Sequence, residues 1–166
     1  METIILGLGS NRGDSKAILA AAVERLSAVL TGLRASSLYI TKPQDYFDQD
    51  DFCNMVVSGG YAGTPADLLA AVQHIEADYG RNRAGEIPKG PRTLDIDILF
   101  FGQQQVSLQE PPLTIPHPAV YRRAFALIPL LELHPDYCDP VSKTPLAVML
   151  AGLEDQGVRK DKASSV

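Results

Sequence analysis

Hydrophobic and polar residues alternate along the chain with the periods of strands and helices. Residues 3–8 form a short apolar run and predict a buried strand. From Ile18 to Leu30 the apolar positions recur every three or four residues, which predicts an amphipathic helix. Asp14 or Ser15 can cap the start of that helix, because a short polar side chain accepts hydrogen bonds from its first turn.

Two further strands are predicted from β-branched and aromatic residues. They span residues 33–41 and 52–58, and the polar, proline-containing residues 42–51 between them predict a loop. Since no helix separates these strands, we expect an antiparallel pair.

A second helix has clear signals at both ends. Thr64 fits the cap position, Pro65 fits the first helical position, and Gly80 stands where a C-terminal glycine belongs. Residues 81–93, rich in Gly, Pro and Arg, predict a long loop. Residues 94–101 then predict a central strand.

The last third of the chain is less regular. A polar stretch covers residues 102–112, and a helical pattern of leucines runs from Leu127 to Leu133. We expect one domain over residues 1–154 and a frayed polar tail over 155–166. The order of elements predicts an α+β fold, a mostly antiparallel sheet covered by helices.

Composition narrows the classes of function. A net charge of −5 argues against non-specific nucleic-acid binding, and no apolar run is long enough to span a membrane. The N-terminus lacks the pattern of a signal peptide, and Cys53 and Cys138 are too few for a disulfide framework. We therefore expect a cytoplasmic protein.

Positive charge is concentrated in one loop of this acidic chain. Arg81, Arg83, Lys89 and Arg92 stand against the single acid Glu86. Such a cluster indicates either a small anionic ligand or a solvated basic loop. Guanidinium groups bind phosphate oxygens in a bidentate fork, which favours the three arginines as phosphate ligands.

Asp95 and Asp97 are the most informative residues. Side chains alternate along a strand, so Asp95 and Asp97 point to one face, with Cα atoms about 7 Å apart, while Ile96, Ile98 and Phe100 face the core. Two adjacent carboxylates on an apolar strand favour a bound cation, and magnesium takes carboxylate and phosphate oxygens. Solvated acids on an edge strand are the alternative.

Two other groups have less specific signals. Gln73 and Glu76 are neighbours on one helix face and indicate either a nucleotide contact or an ordinary solvated surface. His117 lies between two prolines, followed by Arg122 and Arg123, and is either a phosphate-binding or a structural histidine.

The glycines at positions 7, 9 and 13 do not form a dinucleotide fingerprint. That pattern needs a third glycine where Arg12 stands, and the GKS or GKT ending of a P-loop is absent too. A tight turn and close approach of the backbone to a ligand are the better interpretation.

Taken together, the motifs resemble the 6-hydroxymethyl-7,8-dihydropterin pyrophosphokinase family. The resemblance covers residues 4 to about 135, and GPRTLDIDI is its most specific segment. The matching segments, in order, are GLGSN at 7–11, FCN at 52–54, GRNR at 80–83, GPRTLDIDI at 90–98 and IPHP at 115–118.

This resemblance implies a ferredoxin-like α+β sandwich and a monomeric enzyme of folate biosynthesis that uses ATP and two magnesium ions. The implied catalytic residues are Arg81, Arg83, Arg92, Asp95 and Asp97, with Asp95 and Asp97 as the metal ligands. The implied ATP side consists of Gln73, Glu76, Ile98, Thr114, His117 and Arg123. The implied pterin side consists of Thr41, Pro43, Phe52, Asn54, Asp95 and Phe125.

Three positions depart from the family pattern. Lys89 stands where some members have tryptophan, Gln44 replaces an apolar residue, and Pro118 replaces an aromatic one. These changes bear on loop closure and substrate affinity rather than on the reaction.

Two other classes of function compete with this interpretation. A non-catalytic pterin- or nucleotide-binding relative would have no need of the complete set of charged groups. A metal-dependent nucleotidyl- or phosphotransferase acting on another alcohol would keep Asp95 and Asp97, but not the aromatic residues for a flat ring.

Overall fold

The computed structural model describes residues 1–42, 50–80 and 93–162. The strands are β1 (Glu2–Ser10), β2 (Thr31–Ala35), β3 (Tyr39–Thr41), β4 (Phe52–Tyr61), β5 (Asp95–Phe101), β6 (Val106–Gln109), β7 (Pro112–Ile115) and β8 (Arg159–Lys160). The helices are α1 (Ser15–Leu26), α2 (Pro65–Asp78), α3 (Ala124–Leu133) and α4 (Leu146–Ala151), with a short 3-10 helix at Val120–Arg122.

One antiparallel sheet organises the chain. Its strand order is β5-β1-β4-β3-β8, with β2 also paired to β4, while β6 and β7 form a separate hairpin. Strand β5 is an edge strand, so the central position predicted for residues 94–101 is wrong. The pairing of β4 with β2 and β3 confirms the antiparallel pair predicted from the sequence. The predicted α+β class is confirmed in its general form, an antiparallel sheet covered by helices.

Helices α1 and α2 cover one face of the sheet. The side chain of Asp14 accepts a hydrogen bond from Ala17 N, and Thr64 and Asp67 form a reciprocal capping box, so the predicted helix starts are confirmed. The main core lies beneath these helices. It includes Ile4, Leu6, Leu8, Leu19, Leu26, Met55, Val57, Leu68, Val72, Ile96 and Ile98.

Helices α3 and α4 pack on the opposite face, here called the α3 face. They bury a second cluster that contains Ile5, Val56, Leu99, Phe100, Leu127 and Leu130. This cluster covers only the part of the face around Ile5, Val56 and Phe100.

A β-bulge in β5 corrects the predicted orientation of Phe100. Ile5 pairs with Phe100 and the next residue, Leu6, pairs with Ile98, so Leu99 is an extra residue in β5. Phe100 therefore lies on the α3 face with Leu99, whereas Ile96 and Ile98 face the main core as predicted.

The strand predicted over residues 33–41 is interrupted. Between β2 and β3, Ser36 interrupts the regular pairing with β4. Its hydroxyl accepts a hydrogen bond from Val56 N, while its own N–H donates to Val56 O. The side chain thus takes over a backbone role, and the chain can bend before β3 begins.

Within the tail predicted to fray, residues 159–161 contact the rest of the fold, and residues 163–166 lie outside the described range. Residues 159–160 form β8, which adds to β3, and Asp161 pairs with Lys16 at 2.7 Å while its N–H donates to Leu38 O. Long-range pairing orders a segment whose polar composition indicated fraying. In the described part of the chain, none of the helices is both long and apolar enough to cross a membrane.

Candidate functional site

Three adjacent strands change character toward the same end of the α3 face. On β1 the residues on this face change from the apolar Ile5 to Gly7 and Gly9. On β4, which runs the other way, they change from Val56 to the polar Asn54 near the start of the strand. On β5 the corresponding change is from Leu99 to Asp97 and Asp95. Register places Asp95, Gly9 and Asn54 in one row and Asp97, Gly7 and Val56 in the next.

Asp97 lies between two basic side chains, which come from the segment after β7 and the start of α3. Its Oδ1 is 3.9 Å from His117 Nε2, and its Oδ2 is 3.6 Å from Arg123 Nη1. All three side chains are half-buried. The structure therefore brings together four residues selected from the sequence, namely Asp95, Asp97, His117 and Arg123.

Hydrogen bonding fixes which nitrogen of His117 carries the proton. Nδ1 accepts from Ala119 N at 3.1 Å, so in the neutral ring the proton is on Nε2, the nitrogen that faces Asp97. Burial lowers the pKa of His117 below its ordinary value and Arg123 lowers it further, whereas Asp95 opposes the shift. These effects favour the neutral ring, which donates from Nε2.

Two glycines of β1 lie beside the carboxylates of β5, where a side chain would not fit without a shift of its neighbours. A Cβ at Gly7 would lie 3.3 Å from Leu99 Cδ1, and a Cβ at Gly9 would lie 3.2 Å from Asn54 Oδ1. Because β1 has no side chain at these positions, the surface between the acids of β5 and Asn54 of β4 is backbone. The close approach of this backbone to a ligand stays a prediction.

Asn54 is fixed by the neighbouring strand. Its Nδ2 donates to Thr41 Oγ1 at 2.6 Å, and both side chains are buried. Phe52 pairs in register with Thr41 and is partly buried at the start of β4. Phe52 and Asn54 are two residues apart, so they share the α3 face.

Phe125 lies in the first turn of α3 and is partly buried. The guanidinium carbon of Arg123 is 5.5 Å from the centre of its ring, a cation–π distance. The start of α3 thus brings Phe125, which the resemblance assigns to the pterin side, next to Arg123, which it assigns to the ATP side.

Two residues on the predicted ATP side have other surroundings than expected. Glu76 is not on a solvated surface: it is 2% exposed, and its Oε2 accepts from Ile96 N at 2.9 Å. Helix α2 faces β5 at this point, so the Glu76 carboxylate binds a backbone N–H group at the outer edge of the strand. The Ile98 side chain belongs to the main core, so any ligand contact from Ile98 must come from its backbone.

The remaining predicted site residues are less constrained by the structure. Gln73 and Thr114 are exposed on α2 and β7, and their place in the site stays a prediction. The residues that lie outside the described ranges are Pro43, Gln44, Arg81, Arg83, Lys89 and Arg92.

The pair Asp95 and Asp97 fits magnesium better than a metal held by protein alone. Within the described ranges, no group of three or more His, Cys, Asp or Glu side chains is placed to hold a metal ion. Two partly exposed carboxylates match a cation that takes its other oxygens from water and substrate phosphates.

Gln156 contacts the start of α3 beside Arg123, and no sequence pattern indicated this residue. Its Oε1 accepts from Ala124 N at 3.0 Å and its Nε2 donates to Arg122 O at 2.9 Å, so one amide group holds both neighbours of Arg123. A contact across 32 residues, from a polar tail, has no periodic signal in the sequence.

Comparison with known proteins gives a consistent result. Residues 5–135 match the family model of 7,8-dihydro-6-hydroxymethylpterin-pyrophosphokinase. The chain is 41% identical to a 2-amino-4-hydroxy-6-hydroxymethyldihydropteridine pyrophosphokinase of Methylorubrum extorquens, covering 96% of this chain and 99% of the relative. It is 39% identical to the Bacillus subtilis protein of the same name, covering 96% and 90%.

Solved structures agree on the fold. The wild-type HPPK-DHPS of Plasmodium falciparum matches 90% of this chain with a TM-score of 0.70 and 16% sequence identity. This chain spans 44% of that protein. The resemblance seen in the sequence is confirmed: the chain belongs to the 7,8-dihydro-6-hydroxymethylpterin-pyrophosphokinase family and is a diphosphotransferase enzyme.

Proposed function

We propose that this chain transfers a pyrophosphoryl group from ATP to the hydroxyl of 6-hydroxymethyl-7,8-dihydropterin in folate biosynthesis. The reaction joins the pterin oxygen to the β-phosphorus of ATP, breaks the bond to the α-phosphate oxygen, and releases AMP. The observation that carries the proposal is the row formed by Asp95, Gly9 and Asn54. It sets a carboxylate and a fixed amide on either side of a glycine, where the strand between them has no side chain.

The pterin ring would bind over that row. Asn54, oriented by Thr41, would hydrogen-bond the ring edge, while Phe52 and Phe125 would pack against its faces. Aromatic residues favour a flat conjugated ring because offset stacking adds to the burial of apolar area. Pro43 and Asp95 complete the proposed pterin side.

The phosphates would bind next to Asp95 and Asp97. Two magnesium ions held by these carboxylates would neutralise the charge that develops on the transferring phosphates. His117 would donate its Nε2 proton to a phosphate oxygen, and Arg123 would turn its guanidinium from Asp97 to the phosphates. Arg81, Arg83 and Arg92 would complete the cationic side.

The nucleotide would extend along the outer edge of β5. Ile98 would contact it through backbone groups, and Gln73 and Thr114 through exposed side chains. Glu76 would act indirectly, by holding the backbone of Ile96. With β2 and β3 counted as one interrupted strand, the elements from β1 to β5 follow a β-α-β-β-α-β order. We further propose that they form a ferredoxin-like sandwich in a monomeric, cytoplasmic protein.

One assay separates this proposal from its alternatives. The protein is incubated with ATP, magnesium and 6-hydroxymethyl-7,8-dihydropterin, and the nucleotide product is identified. AMP with a pterin pyrophosphate ester is expected. ADP would indicate ordinary phosphoryl transfer, and binding without any product would indicate a non-catalytic relative. Either result would contradict the proposal.

A further inference from the structure

The start of α3 lacks the side-chain cap that a helix usually has. Arg123 occupies the cap position, with φ −108° and ψ 99°, and makes no side-chain hydrogen bond to the first turn. Arginine has only donors, so it cannot accept from the free N–H groups of a helix start. Its guanidinium points to Asp97 and lies near the ring of Phe125.

Gln156 supplies the missing acceptor from a distant part of the chain. Its Oε1 accepts from Ala124 N, and its Nε2 donates to Arg122 O. The peptide groups on both sides of Arg123 are therefore held by one planar amide, which restricts the backbone from which the Arg123 side chain extends.

The segment that carries Gln156 is itself anchored. The Asp155 side chain accepts from Gly157 N at 2.8 Å, and Gly157 has φ +72°, a conformation that glycine adopts without strain. The chain then continues into β8, where Arg159 and Lys160 pair with β3. Gln156 is thus tied to the sheet at the strand that contains Thr41.

We infer that Gln156 is a positioning residue for the phosphate site, acting through Arg123. This inference rests on the proposed role of Arg123 at the ATP phosphates. With the amide in place, the cap position is free to hold an arginine instead of the usual Ser, Thr, Asp or Asn. The helix start can therefore present a cation to the phosphates without losing its first hydrogen bond.

The test compares nucleotide binding in matched variants of the full chain. Gln156→Met keeps the length and packing of the side chain but removes both hydrogen bonds. Gln105→Ala is the control, since Gln105 is exposed in the segment between β5 and β6. Affinity for α,β-methylene-ATP with magnesium is measured by calorimetry. We expect it to fall about tenfold in Gln156→Met, the order of one to two lost hydrogen bonds, and to stay unchanged in the control.

A double variant distinguishes positioning from general stability. If Gln156 acts through Arg123, Gln156→Met should cost much less affinity in an Arg123→Ala background than in the wild-type chain. Equal losses in both backgrounds would overturn the inference, and so would wild-type affinity in Gln156→Met. Failure of the wild-type chain to form AMP would instead contradict the proposed function, because these binding comparisons do not depend on turnover.

Discussion

The two ends of the α3 face have the same backbone but opposite chemistry. At one end, Ile5, Val56 and Phe100 are closed off by the leucines of α3. At the other end, within four residues along β1, the face consists of glycine backbone beside carboxylates and an amide. Regular pairing thus continues across the sheet while the side chains change from core to site.

This contrast suggests a division of labour. The apolar end holds the strands in place by burying side chains, and the same strands keep the polar side chains at fixed distances from one another. Substitutions at the apolar end should therefore affect stability first, whereas those at the polar end should affect ligands first. The following predictions test that separation.

The largest effect is expected at Asp97. Asp97→Asn keeps the size of the side chain but removes its charge, so turnover should fall by roughly three orders of magnitude, since charge neutralisation by the cation is worth several kcal/mol. The fold should survive, because one fewer carboxylate relieves repulsion from Asp95. AMP formation and thermal unfolding are measured, with exposed Asp136→Asn as the control. Near-normal turnover at saturating magnesium would exclude Asp97 as a metal ligand.

Phe125 should affect the pterin more than the nucleotide. Phe125→Ala removes a stacking surface, so pterin affinity should fall more than about tenfold from lost stacking and apolar contact. The affinity for magnesium ATP alone should change less, although Arg123 loses its ring contact. Calorimetric titration of each substrate tests this. A variant that keeps pterin affinity and loses ATP affinity would place Phe125 on the other side of the site.

A pair of glycine substitutions compares the two ends directly. In Gly9→Ala the new methyl group meets Asn54 Oδ1, which cannot move without disturbing the hydrogen bond to Thr41. In Gly7→Ala it meets the flexible end of Leu99. We expect Gly9→Ala to weaken pterin binding by about tenfold, the order of one lost hydrogen bond to the ring.

Gly7→Ala should instead leave pterin affinity within about threefold and change unfolding by only ~1 kcal/mol, because a small shift of Leu99 relieves the contact. Pterin titrations and denaturant unfolding of both variants measure the difference. Equal losses of pterin affinity in the two would mean that the boundary between the two ends lies elsewhere.

The smallest effect concerns pH and the apolar end. His134 contacts Ser58 Oγ at 2.7 Å, and burial, followed by Arg34, lowers its pKa below the ordinary value of 6.5. The unfolded chain therefore binds a proton at higher pH than the folded one, so stability is lost as pH falls below about 6.5 through the lower folded pKa.

His134→Gln should make the free energy of unfolding less dependent on pH between 7 and 5. Some dependence should remain, because the pKa of His117 is shifted in the same direction. Denaturant unfolding at several pH values measures the slope. An unchanged slope in His134→Gln would show that His134 is not held neutral by the fold.

Local patterns predicted the elements well, but not the places where distant groups intervene. Caps at Asp14 and Thr64 and the shared face of Asp95 and Asp97 follow from spacing along the chain. The bulge at Leu99 depends on pairing with β1, and the split at Ser36 depends on Val56. Periodicity contains no information about such partners, so Phe100 was given the wrong face.

The site divides in the same way. Strand alternation indicated the two carboxylates, and a resemblance of motifs indicated Thr41, Phe52, Asn54 and Phe125. Neither source indicates that Glu76 is buried against Ile96 N or that Gln156 holds the start of α3. Those contacts join residues 20 and 32 positions apart, so no local pattern along the chain indicates them.

The outer side of β5 has a consequence for how the molecule behaves at high concentration. An edge strand with free N–H and C=O groups can pair with a strand of another molecule, which leads to aggregation. Here the Glu76 carboxylate accepts from Ile96 N, and the backbone N–H of His117 donates to Leu99 O. The same two contacts that join α2 and the His117 segment to the sheet therefore also occupy donors and acceptors at its edge. Residues proposed for the nucleotide site can thus also protect the protein from aggregation.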